Sequence, residues 1–301
     1  LFLYSPRRIQ CPRCGIHVEK VPWAQGKETL CLTYQWFLAR WAKKLSWTQV
    51  AESFWTSYEA EFRSVQMAVW WGLRHRELSV IKAIGVDEIL WLRGKFVTLV
   101  YEISDGSKRL LYIARDRTEQ SLRGCFDLLG TVRSKRLRYV CSDMWRPYLN
   151  VIQEKASQAL NILDRFHIMK KFNEAIDQVR REEVQQLKRE GREPLLHHTR
   201  FCLLKRTENL TERQASKLSE LLRCNLRSVR AYLLREEFQR FWKYVRATVA
   251  GKLLDDWCRI AMRSRLAPIK KVVGTLRNHR ALLLNWFAAQ GTMSSGSVEG
   301  L

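Results

Sequence analysis

Three aspartates share a local setting: Asp87 follows Ile84-Gly85-Val86, Asp143 follows Val140-Cys141-Ser142, and Asp164 follows Ile162-Leu163. Each short apolar run reads as a buried strand that ends at its acid. Because the ends of adjacent strands lie close together, these carboxylates can be gathered in one place. Like charges a few Å apart raise one another's pKa, and a divalent cation relieves the repulsion. Hard oxygen ligands favour magnesium or manganese. Two such ions, roughly 3.5 to 4 Å apart, can activate a water or a 3′-hydroxyl and stabilise the leaving oxygen of an in-line displacement. The competing reading is that acids at strand ends cap the helices that follow.

A third ligand has to come from elsewhere in the chain, and Glu299 is the candidate. It follows a Gly/Ser loop at Gly291–Gly296, where Ser295 or Ser297 can cap a new helix with Glu299 in or near its first turn. His167 lies three residues after Asp164, which on a helix puts both on one face. There it could contact a scissile phosphate, assist a proton transfer, or simply bond to Asp164. Near the front, Cys11-Pro12-Arg13-Cys14-Gly15 is half of a zinc ribbon, two thiolates on a tight turn. His17 or Cys31 could add ligands to a structural zinc. Alternatively, the partners of the pair lie upstream of Leu1.

The elements that must position these residues fall into five stretches. Residues 1–27 are basic and rich in turn formers, and make up the partial zinc ribbon. Over 28–78 the pattern is helical: Leu30, Tyr34, Phe37, Leu38, Trp41 and Leu45 mark one buried face. Ser46 and Ser57 can cap two further helices, which predicts a helix-turn-helix. Its third helix would offer Glu59, Arg63 and Gln66 to a DNA groove. Residues 79–170 change to a period of two. Strands are expected at Ile81–Val86, Phe96–Ile103, Leu110–Ile113, Leu137–Ser142 and Ala159–Leu163, with helices at Glu119–Leu129 and Tyr148–Ala156. Three strands, helix, strand, helix, strand is the ribonuclease-H order, an α/β fold with a mixed sheet. Residues 171–290 read as a large all-helical insertion. Residues 291–301 would begin the catalytic helix that carries the third acid.

Charge points to the partner. The 301 residues carry 53 Lys and Arg against 30 Asp and Glu, a net +23. The excess is dispersed along the chain, as at Arg7-Arg8, Lys43-Lys44 and Lys270-Lys271. A dispersed positive field suits a long polyanion, since each neutralised phosphate releases condensed counterions. We therefore expect double-stranded DNA as partner, with Arg7 and Arg8 joining Arg63 and Gln66 among the contacts. No apolar run reaches the roughly 18 residues needed to span a bilayer. Eight cysteines in a chain of this length do not form a disulfide scaffold, which fits a reducing cytoplasm, and a DNA partner there would make the protein nucleoid-associated. The first residue is Leu, and Leu301 follows Glu299 closely, so the chain reads as part of a longer frame.

Several blocks together resemble the ISL-three family of bacterial insertion-sequence transposases. They are Arg7–Gly15, Val21-Pro22-Trp23-Ala24, Ala83–Ile89 with Gly85-Val86-Asp87-Glu88, and Cys141-Ser142-Asp143-Met144-Trp145. The Ile162–Lys170 block with Asp164-Arg165-Phe166-His167 and the Ser294–Gly300 block with Val298-Glu299-Gly300 complete the set. The resemblance runs from about residue 6 to the end. It implies a zinc-ribbon and helix-turn-helix front that binds terminal inverted repeats, and a DDE catalytic domain split by a helical insertion. Carried over by position, the triad becomes Asp87, Asp143 and Glu299, while Asp164 and His167 match a further motif. It implies metal-dependent cleavage and strand transfer into target DNA, and joining two ends implies at least a homodimer. The rival function is a catalytically inactive remnant that only binds DNA.

Overall fold

The computed structural model describes residues 4–23, 30–78, 80–104, 108–191 and 195–290. Its contacts divide the chain into two compact units, Leu1–Ser79 and Val80–Leu301.

In the first unit, β1 (Arg8–Cys11) and β2 (Gly15–Val18) form an antiparallel hairpin in which Cys11 pairs with Gly15. Gly15 adopts φ +86°, a conformation costly for any residue with a Cβ, and this lets the chain reverse within the Cys-x-x-Cys-Gly turn. Three helices follow, α1 (Leu32–Trp41), α2 (Trp47–Ser53) and α3 (Tyr58–His75). Both expected caps form. The Ser46 side chain accepts from Gln49 N while Gln49 reaches back to Ser46 N, and Ser57 accepts from Ala60 N. Each such cap contributes on the order of 1 kcal/mol. Leu38 and Val50 are fully buried in this unit.

The second unit is built on a five-stranded mixed sheet in the order β5-β4-β3-β6-β7. Its strands are β3 (Ala83–Leu92), β4 (Lys95–Glu102), β5 (Arg109–Arg115), β6 (Tyr139–Ser142) and β7 (Leu160–Leu163). β3, β4 and β5 form an antiparallel meander, and β6 and β7 extend it in parallel beyond β3. Helix α4 (Glu119–Ser134) links β5 to β6, and α5 (Arg146–Lys155) links β6 to β7. Within α4 the helix breaks at Gly130 (φ 73°), so its regular part closes at Leu129 as the sequence pattern implied.

One expectation needs correction. β3 does not stop at Asp87 but runs on to Leu92, with Asp87 opposite Leu99 and Glu88 opposite Thr98. The hairpin partner supplies the reason: β4 offers backbone hydrogen bonds along this whole length, and Gly94 (φ 76°) closes the turn beyond it. The proposed hairpin turn at Asp105-Gly106 lies outside the described residues.

From Arg165 onward the described chain is helical: α6 (Arg165–Arg189), α7 (Arg200–Leu204), α8 (Glu212–Leu222), α9 (Arg227–Gln239), α10 (Ala247–Met262), α11 (Ala267–Asn278) and α12 (Arg280–Ala288). These helices share a core with the sheet. One hydrophobic cluster joins Leu149 and Leu163 to Phe172, Phe238, Phe241 and Leu254, and Ala289 joins Cys141 and Ile162 in another. Asn285 fastens α12 to β7 by donating to the Asn161 carbonyl at 2.7 Å. Residue 170, where the sequence reading put a domain boundary, falls inside α6, which is 25 residues long. No helix among the described residues is long and apolar enough to cross a membrane.

Candidate active site at the ends of the parallel strands

Register gathers the acids. Gly85, Cys141 and Ile162 lie on one rung across β3, β6 and β7. Side chains alternate with a period of two, so the residues two further on, Asp87, Asp143 and Asp164, come to the same edge of the sheet. The backbone keeps this order past the strand ends, where Asp164 N donates to the Ser142 carbonyl at 2.8 Å. Asp87 shares a face with Tyr101, whose pKa is raised by burial and by the Asp87 charge. Glu88 points to the opposite face, towards Tyr148. The Tyr148 hydroxyl donates to Thr98 Oγ1 at 2.7 Å, and burial pushes its pKa up to about 12. Asp143, just past β6, interacts with acids on both faces.

Each acid has defined partners. Asp143 accepts from Trp145 N (3.0 Å) through Oδ1 and from Arg117 (3.1 Å) through Oδ2. Arg117 also pairs with Glu88, and its guanidinium lies 4.4 Å from the centre of the Trp145 ring. Asp164 caps α6 by accepting from Phe166 N (3.0 Å), and its other oxygen meets His167 Nδ1 at 3.2 Å. That contact leaves His167 Nε2 facing Asp87 Oδ1 at 3.9 Å. Asp164 is thus a helix cap and the partner of the histidine at once.

The electrostatics show a site short of positive charge. Burial first, then the charges of Asp164 and Asp143, raise the pKa of Asp87 against the pull of His167. Burial raises Glu88 as well, with Arg117 opposing. Burial drags the His167 imidazole down, but the hydrogen bond to Asp164 and the charges of Asp164, Asp87 and Asp143 outweigh it, and its pKa ends above the ordinary value. The four carboxylates thus have, among the described residues, only one guanidinium and one imidazole within ion-pair distance, so two of them lack a paired cation there even when the imidazole is protonated. That deficit, offered by hard oxygen donors, fits a divalent cation such as Mg²⁺. Among the described residues, however, no three His, Cys, Asp or Glu side chains form a complete metal-holding group. Glu299, the expected third acid, and its Gly/Ser loop lie outside the described residues.

Glu88 and Asp143 open into a cleft of about 390 Å³, lined also by Arg117, Trp145, His167, Lys170, Lys171, Thr275 and His279. Sequence reasoning had not singled out Glu88, Arg117, Lys171 or His279. Glu88 was hidden beside Asp87, which a strand aims to the other face. Arg117 sits in the link between β5 and α4, where spacing gives no signal. Lys171 and His279 are more than a hundred residues apart.

In the first unit, Cys11 and Cys14 face each other across the hairpin turn, and His17 Nε2 lies 2.9 Å from Cys14 Sγ. Hydrogen bonds from the Cys14 side chain and from the Arg13 and Cys14 backbone lower the pKa of Cys11, while Cys14 is raised by its bond to Cys11. Arg7 and Arg8 are exposed before the turn, and Glu59, Arg63 and Gln66 are exposed along α3.

Residues 84–301 match a family model described as transposase, of the ISL3 type in the DDE class. The transposase for insertion sequence element IS1557 of Mycobacterium tuberculosis is 27% identical, the match covering 97% of this chain and 71% of that protein. The transposase for insertion sequence element IS1001 of Bordetella parapertussis is 25% identical over 99% of this chain and 74% of its own length.

Proposed function

Because the chain belongs to the ISL3 family of insertion-sequence transposases, we propose that the cleft at the ends of β3 and β6 is where it cuts and joins DNA. In this reading the second unit is a ribonuclease-H-like catalytic core with a helical insertion, and Asp87, Asp143 and Glu299 hold two Mg²⁺ or Mn²⁺ ions. The observation that carries the proposal is that Asp87, Asp143 and Asp164 all lie two residues past the Gly85–Cys141–Ile162 rung, with only Arg117 and His167, among the described residues, as ion-pair partners of the acids there. When bound, such ions supply activation of the attacking hydroxyl and stabilisation of the leaving oxygen.

The chain's own residues do the rest. Arg117 holds Asp143 and Glu88 in place while the acids lack other countercharge, and the Trp145 ring behind it keeps the guanidinium in the cleft wall. Asp164 orients His167 through Nδ1, which leaves Nε2 to hold or pass a proton beside Asp87. In the first unit, α1–α3 read as a helix-turn-helix that brings Arg63 and Gln66 to the element's terminal inverted repeats. Arg7 and Arg8 add phosphate contacts beside Cys11 and Cys14, a hairpin suited to zinc if further ligands complete it. Two DNA ends have to be joined, so the working form contains at least two copies.

The test uses labelled duplex carrying the element's terminal inverted repeat, incubated with the chain and Mn²⁺. Nicking at the repeat boundary is expected, with a fall on the order of a thousandfold or more in Asp143→Asn and in Asp87→Asn while binding persists. Binding without nicking by the unsubstituted chain would assign it a purely DNA-binding role. Equal nicking by the Asn variants would remove these acids from the chemistry.

A further inference from the structure

We propose that Arg146, Lys171 and His279 form a binding site for a backbone phosphate of the DNA, with Lys171 and His279 in the wall of the cleft that Glu88 and Asp143 also line. The proposal rests on reading that cleft as the DNA-processing site. The three residues come from separate elements: Arg146 opens α5, Lys171 lies on α6, and His279 is the single residue between α11 and α12. Lys171 and His279 line the cleft together with Asp143 and His167. Arg146 is close enough to act on the same imidazole: burial, then the charges of Arg146 and Lys171, hold the pKa of His279 below its ordinary value.

Convergent cations that no carboxylate pairs with are costly in the free protein, because like charges repel. Arg146 and Lys171 are exposed and form no ion pair among the described residues. Glu174 also faces the cleft from α6, but it is exposed and forms no ion pair with Lys171. The cluster therefore waits for an anion from outside. In a chain of net charge +23 whose cleft carries nuclease-type acids, that anion is a phosphodiester.

The backbone is fixed where it needs to be. His279 N donates to the Thr275 carbonyl (3.2 Å), and its own carbonyl accepts from Leu283 N (2.9 Å), so it is held between two helices. Helix α11 packs on α6, which holds His279 and Lys171 in a common frame. Arg146 follows the turn in which Asp143 accepts from Trp145 N, and a phosphate held there is tied to the acid by a short, hydrogen-bonded link. Fixing a neighbouring phosphate aligns the strand so that the attacked phosphorus meets the acids in a productive orientation.

The test is a binding measurement without divalent metal, so that no chemistry intervenes, using the full chain and a duplex carrying the element's inverted repeat. Arg146→Gln and Lys171→Gln are each expected to weaken binding about tenfold at low salt and to lower the slope of log affinity against log salt by about one. Lys171→Arg should restore both, which separates loss of charge from misfolding. A series of duplexes, each with one neutral methylphosphonate, should then contain a position that costs the unsubstituted chain about tenfold and costs Lys171→Gln nothing. Additive costs at every position, or an unchanged salt slope, would overturn the phosphate site. Nicking in Mn²⁺ is scored separately: lost nicking with this coupling intact refutes the catalytic reading alone, and intact nicking with additive costs refutes the phosphate site alone.

Discussion

Two regions of the second unit bury carboxylates and treat them in opposite ways. On α6, Glu183 is 6% exposed and accepts from Arg227 N (2.6 Å), Ser228 N (2.8 Å) and the Ser228 hydroxyl (2.6 Å). It caps α9 from a distance of 44 residues, where the N-cap residue Leu226 has no side-chain oxygen to offer. Its hydrogen-bonding capacity is met from within the fold. At the sheet end, by contrast, Asp87, Glu88, Asp143 and Asp164 crowd around one guanidinium and one imidazole, and Glu88 and Asp143 line a cleft open to a ligand. Burial of an acid is therefore not in itself a sign of chemistry. The sign is charge left uncompensated where something can enter.

The contrast can be broken from either side. The larger effect is expected in the helical region, where Glu183→Ala strands two backbone N–H groups and a hydroxyl at a buried helix start. A loss of about 3 kcal/mol should follow in urea unfolding, independent of Mg²⁺. Unchanged stability would mean that water replaces the carboxylate without cost and that the site is less closed than its hydrogen bonds imply. At the sheet end, Arg117→Ala should cost about 2 kcal/mol without divalent ions, since it leaves half-buried carboxylates facing one another. Here Mg²⁺ should recover most of the loss, so that the variant gains more from the ion than the unsubstituted chain does. An equal loss with and without Mg²⁺ would make Arg117 an ordinary structural partner, and the two regions would then differ only in degree.

Much of this contrast was legible in the sequence, but unevenly. The order of strands and helices from Ile81 to Leu163 follows from alternation, β-branching and turn residues, all of them local signals. The caps at Ser46 and Ser57 are likewise local. Asp87, Asp143 and Asp164 could be picked out because each follows an apolar strand, yet their gathering at one sheet edge depends on register, a long-range property. The expected end of β3 at Asp87 failed for the same reason: the strand continues because β4 lies beside it, and the exposed run Ile89-Leu90-Trp91-Leu92 gives no alternation to read. Glu183 carried no signal at all, since its role is set by a helix start far along the chain. His279 matters only because α11 packs on α6.

The smallest effect concerns a third arrangement, in the first unit. Glu61 on α3 is fully buried, and neither of its carboxylate oxygens has a hydrogen-bond partner among the described residues. Burial raises its pKa above the ordinary value of 4.5. An acid raised in the folded state binds its proton more tightly there than in the unfolded chain. Its contribution to stability is therefore full below the unfolded value and is lost as pH rises through the folded one. Glu61→Gln keeps the shape and removes the ionisation, so the variant should be about 1 kcal/mol more stable at pH 7 and should lose less stability as pH rises. The gain is limited because the amide is left as unpartnered as the acid was. Thermal unfolding followed at mildly acidic and at neutral pH decides the matter. A slope unchanged by the substitution would mean that Glu61 titrates alike in the folded and unfolded chain, and would assign the pH response to Asp87 and Glu88, whose pKa values are raised in the same direction.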